Sequence, residues 1–282
     1  MRYRIFWTGA VIAAIGIALS AQAQVAITSV SLSPDTTVEL SGSTFEDQEV
    51  VIDDQLGTVT LVPLGVLPDA SDVDAYHVLA NGDQLYSLDT TAELGGGLTA
   101  GPGDVVRYDG LTDTLEFDAS SEGIPDGVIV DAVSVHSSGD LVLSFDTTVD
   151  LGSLTVNDED AVRFNGASFS LLFDGSSEGV PDGLDLDGVE LRPGGLLWAS
   201  FDASGSIGGV DFDDEDILEF DPTGPTWSLV YDGSALHAAL AAADVVAVPE
   251  PGVWLQVVVG MGFLGALHRA RGRCLPGRHY IV

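Results

Sequence analysis

The chain has 282 residues, with 44 Asp and Glu against nine basic residues and a formal net charge of −35. All nine bases are Arg, and between residues 24 and 248 only Arg107, Arg163 and Arg192 occur. Such a field repels phosphate backbones and excludes nucleic acid as a partner, while 45% hydrophobic residues supply the apolar surface a folded core needs.

In chain order, residues 1–23 come first. Arg2 and Arg4 precede an apolar stretch from Ile5 to Leu19, and Ala21-Gln22-Ala23 has the small-x-small form that a signal peptidase accepts. This is a signal peptide, so the chain is exported.

A repeat domain occupies residues 24–247. Asp35-Thr36-Thr37, Asp89-Thr90-Thr91 and Asp146-Thr147-Thr148 are copies of one motif, with Asp202-Ala203-Ser204 a worn fourth, at spacings of 54, 57 and 56 residues. Other landmarks keep step. An acid precedes an apolar pair at Glu49, Asp104, Asp160 and Asp216. An aromatic-Asp pair recurs at Phe117-Asp118, Phe173-Asp174 and Tyr231-Asp232 and is missing near Val62-Pro63. Another Asp leads a short apolar strand at Asp74, Asp131, Asp187 and Asp244. Such periodicity marks units that bury their faces on their neighbours.

Each unit holds four short segments of strand character. In the third copy they are Leu141–Phe145, Ala161–Phe164, Phe169–Phe173 and Leu184–Leu191, the last alternating Leu184 and Leu186 with Asp185 and Asp187. Gly-containing turns at Ala80–Asp83, Ser137–Asp140 and Arg192–Gly195 join the last strand of one unit to the first of the next, and Asp109-Gly110 and Asn165-Gly166 join second to third. Ala235–Ala243 is the one stretch with room for a helical turn or two.

Four antiparallel strands in each of four repeats predict an all-β, four-bladed β-propeller, with a β-sandwich or an open repeat array as the alternative. Because the tight turns link strand four to the next strand one, the sheets straddle the repeat. One blade must then be closed by Asp244–Val248 pairing beside Val25–Leu32.

Residues 248–282 follow. Gly252–Leu267 carries no formal charge and is followed by Arg269, Arg271 and Arg273. It reads as a transmembrane segment over 252–267 whose arginines stay on the cytoplasmic side. Immediately before it stands Val248-Pro249-Glu250-Pro251. This Pro-Glu-Pro, apolar helix and Arg-rich tail order resembles the PEP-CTERM sorting signal. The resemblance implies an exosortase-type transpeptidase as partner and transient anchoring in the inner membrane. Release to the cell surface or extracellular polysaccharide matrix would follow. The repeat unit is also similar to repeats of other exported PEP-CTERM proteins of undefined activity, and that likeness assigns no catalytic residues.

The chemistry in the sequence is sparse. No Gly-x-Ser-x-Gly elbow and no His-x-x-x-His is present, and the single Cys, Cys274, closes no internal disulfide. His77, His136 and His237 show no ligand spacing. Aligned by repeat, His77 falls opposite Ser134 and Glu190. Trp198, Trp227, Phe145, Phe201, Phe173 and Tyr231 fall at core positions.

The densest acidic runs are candidate Ca²⁺ ligands, at Asp104, Asp158, Asp160, Asp213, Asp214 and Asp216, because Asp/Gly loops offer the carboxylate and carbonyl oxygens that Ca²⁺ takes. The same residues serve equally well as turn caps. The expectation is a non-enzymatic structural or binding component of the envelope or matrix. A polysaccharide-acting hydrolase is the alternative, since paired carboxylates are abundant.

Overall fold

The computed structural model describes residues 29–243 and 245–249. The expected signal peptide, Glu250, Pro251, the apolar run 252–267 and Arg269, Arg271 and Arg273 lie outside the described residues.

Four antiparallel sheets of four strands stand in a ring. Blade 2 runs outward from Ala75–Val78 through Gln84–Ser87 and Val105–Tyr108 to Asp113–Phe117. Blade 3 runs through Ala132–Val135, Leu141–Ser144, Ala161–Phe164 and Phe169–Phe173, and blade 4 through Gly188–Leu191, Leu197–Ser200, Ile217–Asp221 and Thr226–Tyr231. Blade 1 takes its inner strand, Val245–Pro249, from the far end of the domain and continues with Val30–Pro34, Val50–Asp53 and Val59–Val62. Each inner strand touches the inner strands of both neighbouring blades. The fold is therefore the closed four-bladed propeller, and the sheets straddle the sequence repeat as expected.

The closure has a defined register. Val245–Pro249 lies antiparallel to Val30–Pro34, with Leu32 opposite Ala247 and Ser31 opposite Val248. The strands expected were Asp244–Val248 and Val25–Leu32; the observed pair ends one and two residues later, and Asp244 and residues 25–28 lie outside the described residues. Val248 and Pro249, the first two residues of the expected sorting motif, thus belong to the ring itself. Proline suits this place because an innermost strand has one hydrogen-bonded partner and a free side that needs no N–H.

The middle strands bury both faces while the outermost strands are largely exposed, so the apolar side chains fill the four gaps between blades. Leu85, Val105 and Phe117 meet Val133, Leu143 and Val162 between blades 2 and 3. Val142 and Phe173 meet Val189, Leu218 and Trp227 in the next gap. Trp198, Ile217 and Tyr231 meet Val30, Leu32 and Val51 across the closing gap, and Val50 and Leu64 meet Tyr76, Tyr86 and Val106 in the last. All six aromatic residues assigned to the core are buried. Burying a side chain of this size contributes about 1.5–3 kcal/mol, so each gap binds its two blades.

One strand assignment needs correction. The fourth strand of the third repeat is Gly188–Leu191 alone, and Leu184–Asp187 is loop. Leu184 and Leu186 are nevertheless buried, because this stretch crosses the blade edge toward the axis and Leu186 N–H bonds the Asp158 carbonyl at 3.2 Å. Its alternation records burial in a pinned loop. The Ala-rich stretch forms a helical turn, Gly233–Leu236, and a 3₁₀ turn, Leu240–Ala242.

The propeller has two unlike ends. Tight turns at 79–83, 136–140 and 192–196 mark the turn end. Long connections, such as 88–104, 118–131, 145–160, 174–187 and 201–216, mark the loop end. These long connections are rich in Asp and Glu and contain no Arg. The three arginines of the domain sit at the turn end: Arg107 and Arg163 pair with Asp83 and Asp140 in the turns, and the Arg192 guanidinium lies 4.1 Å from the centre of the Trp198 ring.

Candidate functional site

The recurrent acids of the loop end divide into three tasks. The Asp that precedes an apolar pair ties two connections together. Asp104 accepts Gly101 N–H at 2.8 Å and Ala119 N–H at 2.9 Å; Asp160 accepts Asn157 at 3.0 Å and Gly175 at 2.9 Å; Asp216 accepts Asp213 and Gly233, both at 3.0 Å. The Asp of the Asp-Thr-Thr motif holds the approach to the inner strand of its own blade. Asp89, Asp146 and Asp202 accept the N–H groups of Asp72, Ile129 and Asp185 at 2.7, 2.8 and 2.8 Å. The Asp after the aromatic residue caps a helical turn, as Asp118, Asp174 and Asp232 accept from Ser121, Ser177 and Ala235. Charged acceptors for backbone N–H groups contribute roughly twice what neutral ones do.

The six expected Ca²⁺ ligands are not brought together. Asp104 belongs to blade 2, Asp158 and Asp160 to blade 3, and Asp213, Asp214 and Asp216 to blade 4. Asp104, Asp160 and Asp216 place both carboxylate oxygens on backbone N–H groups. Among the described residues, no three His, Cys, Asp or Glu side chains stand close enough to hold one metal ion directly.

What the fold does bring together lies on the axis. Asp74, Asp131 and Asp187 each stand one residue before an inner strand. With Ser33, Asp35, Asp72 and Val73 they line a pocket of about 100 Å³. Asp131 is 8% exposed and Ser33 2%. The Asp131 Oδ2 and the Ser33 hydroxyl are buried without a hydrogen-bond partner. Burial, reinforced by the charge of Asp185 and other neighbouring aspartates, pushes Asp131 up to about 10. Burial and Asp47 push Asp72 up to about 7, and burial and Asp158 push Asp185 to about 8. No cationic side chain lines this pocket.

Further along the axis, three blades contribute one polar side chain each from equivalent positions of their inner strands. The Ser134 hydroxyl donates to Glu190 Oε2 at 2.9 Å, and His77 Nδ1 stands 3.1 Å from the same oxygen. All three side chains are buried. His77 therefore has an acidic partner, which the sequence reading missed because the partner lies two repeats away. The alignment of His77 with Ser134 and Glu190 at one repeat position was the available signal. His237 likewise meets Asp53 across the closing gap, Nε2 to Oδ2 at 3.1 Å, where Tyr231 also donates to Asp53 at 3.0 Å. His136 sits half-buried in a turn beside Ser138.

The larger concavity, about 620 Å³, is at the turn end between blades 3 and 4. Val135, His136, Leu172, Arg192, Leu197 and Phe220 are among its lining residues, and no carboxylate is.

No protein-family model and no curated protein matches this sequence. Among solved structures the chain is similar to streptogramin B lyase, with 10% identity over 72% of this chain and 59% of that one and a TM-score of 0.30. It is similar to a luciferin-regenerating enzyme at 11% identity, covering 71% and 62% with a TM-score of 0.33. It is also similar to a putative gluconolactonase at 12%, covering 76% and 90% with a TM-score of 0.30. The chain spans about three-fifths of the length of the first of these.

Proposed function

We propose that the chain is an exported, surface-sorted propeller that serves as a structural or binding component of the cell envelope or extracellular polysaccharide matrix, and not as an enzyme. The observation that carries the non-enzymatic part is the separation of room from acid. A glycosidase needs two carboxyl groups roughly 5–9.5 Å apart across a cleft that admits a sugar chain. Here the 620 Å³ cleft has no carboxylate in its lining, and the acid-lined pocket measures only about 100 Å³. The sorting part rests on the Pro-Glu-Pro, apolar run and arginine order, with an exosortase-type transpeptidase as partner.

A hydrolase is the second reading because Asp131 and Asp72 line one pocket and burial pushes both up, the character a general acid needs. Incubation of the purified chain with the producing cell's own matrix polysaccharide separates the two: no release of reducing ends is expected, and release would establish the hydrolase. Sorting is tested on the same chain. Mass spectrometry of surface material is expected to find a C-terminus near Val248-Pro249-Glu250-Pro251, and Pro249→Ala with Pro251→Ala is expected to block sorting without preventing membrane insertion. An intact tail through Val282 on surface material would leave a plain membrane anchor.

A further inference from the structure

We propose that the axial pocket at the loop end binds a divalent cation, Mg²⁺ or Ca²⁺, that keeps part of its water shell. The pocket is built by different blades. Asp74, Asp131 and Asp187 stand at the entry to three inner strands, Asp72 lies two residues before the first of these, and Ser33 and Asp35 come from the closing blade. Ring closure therefore completes the site.

Two orphan atoms point to an occupant. The Asp131 Oδ2 and the Ser33 hydroxyl are both more than nine-tenths buried, both line the pocket, and neither has a partner. Leaving a buried polar atom unsatisfied costs about 1–3 kcal/mol, and native structures seldom keep two side by side without a water or ion between them. The sign of the occupant follows from the wall, in which five aspartates and Ser33 stand with Val73 and no Arg or His.

Its form follows from geometry. No three acids among the described residues converge closely enough to coordinate a bare ion. A pocket of about 100 Å³ instead accommodates an ion together with waters that reach the carboxylates. Mg²⁺ dehydrates reluctantly and is held through one or two carboxylates plus water, and Ca²⁺ completes six to eight oxygens in the same way. This site shares no residue with the six loop acids expected from sequence to bind Ca²⁺, and it stands or falls independently of export and sorting.

The test is titration calorimetry of the EDTA-stripped full chain with MgCl₂ and with CaCl₂ at pH 7. One saturable event per chain is expected. Asp131→Asn is expected to weaken binding at least ten-fold. Asp126→Asn, exposed and outside the pocket lining, is expected to leave binding unchanged. Circular dichroism checks the fold of each variant, and Ser33→Ala provides a second probe of the same pocket should Asp131→Asn not fold. Absence of a saturable event beyond that given by NaCl at matched ionic strength would overturn the proposal. Wild-type affinity in both the Asp131 and Ser33 variants would do the same.

Discussion

Glycine and its facing residue exchange places around the ring at one repeated contact, and this shows how tightly the loop end is assembled. A Cβ on Gly175 would lie 2.3 Å from the Glu159 carbonyl oxygen, and one on Gly233 would lie 2.6 Å from the Glu215 carbonyl. In blade 2 the equivalent pair is Gly103 and Ala119, and there the glycine has moved to the other partner, where a Cβ would meet the Ala119 Cβ at 2.8 Å. One of the two residues must lack a side chain because the Asp104, Asp160 and Asp216 carboxylates draw the two connections together. Gly175 has ordinary right-handed helical dihedrals, so the cost of adding a methyl there is steric and not conformational. Gly175→Ala is expected to lower stability by about 1–3 kcal/mol, read from the urea midpoint. Combining it with Glu159→Gly, which copies the arrangement of blade 2, should cost less than the sum of the single changes by at least about 0.5 kcal/mol. Strict additivity would show that the two connections do not constrain each other. The capping aspartates give the converse case. The first repeat lacks the aromatic-Asp pair near Val62-Pro63, and no helical turn follows its outer strand.

Among the elements, the strand Val245–Pro249 decides whether the molecule is a ring or an open array. It pairs with Val30–Pro34 at a sequence distance of more than 200 residues, and the buried side chains of Val30 and Leu32 depend on that pairing for their place in the closing gap. Ser31 and Val248 face each other in this register, and Cα atoms of directly opposed antiparallel residues are separated by about 4.5–5.5 Å, within disulfide reach. Ser31→Cys with Val248→Cys, in a chain whose Cys274 is changed to Ser, is therefore expected to oxidise to an intramolecular disulfide with a loss of two hydrogens by mass. The loop it closes is long enough for the entropic gain to reach about 5 kcal/mol, so the melting temperature should rise. Free thiols under oxidising conditions would mean that the ends are apart. The ring was legible before the structure because its evidence is local: period-two strands, Gly-containing turns and an Asp landmark at each connection. Even the termini-shared blade follows from which strands the short turns join. For the axial pocket and the His77, Glu190 and Ser134 cluster only the shared repeat positions were legible, at Asp74, Asp131 and Asp187 and at His77, Ser134 and Glu190; their meeting on the axis was not, since it happens only when inner strands converge. Leu184–Asp187 misled for a related reason, as alternate burial in a pinned loop has the period of a strand.

At the scale of the whole molecule, charge is distributed as unevenly as volume. The arginines and their partners hold the turn end, while the loop end keeps its acids without neutralising bases. The buried acids and the hydrogen-bonded exposed acids therefore respond to pH in opposite senses. At the loop end, burial first and neighbouring aspartates second raise Asp72 to about 7, Asp185 to about 8 and Asp131 to about 10, and burial raises Glu159 to about 7. An acid raised in the folded state keeps a proton that the unfolded chain has lost, so each such group lowers stability as pH climbs from about 4 through its folded value, by up to about 1.4 kcal/mol per pH unit while the difference is complete. Elsewhere Asp83 and Asp140 are held down by their hydrogen bonds, those from Arg107 foremost for Asp83 and from Ser138 and Arg163 for Asp140. Asp109 and Asp221 are held down by hydrogen bonds within their own turns. For these the sign reverses, and their contribution is present above about pH 4 and lost as pH falls through the depressed values. Growing repulsion among ionised acids acts in the same direction as the raised group on the alkaline side. Urea unfolding should therefore show greatest stability in the mildly acidic range, near pH 4–6, a steady loss toward pH 8 and beyond, and a separate loss below pH 4. Asp131→Asn should flatten the alkaline limb because it removes the acid with the largest gap between folded and unfolded values, and it should leave the acid limb in place. A chain that gains stability between pH 5 and pH 8 would show that the loop-end acids are ionised in the folded state, with their charge already neutralised from outside.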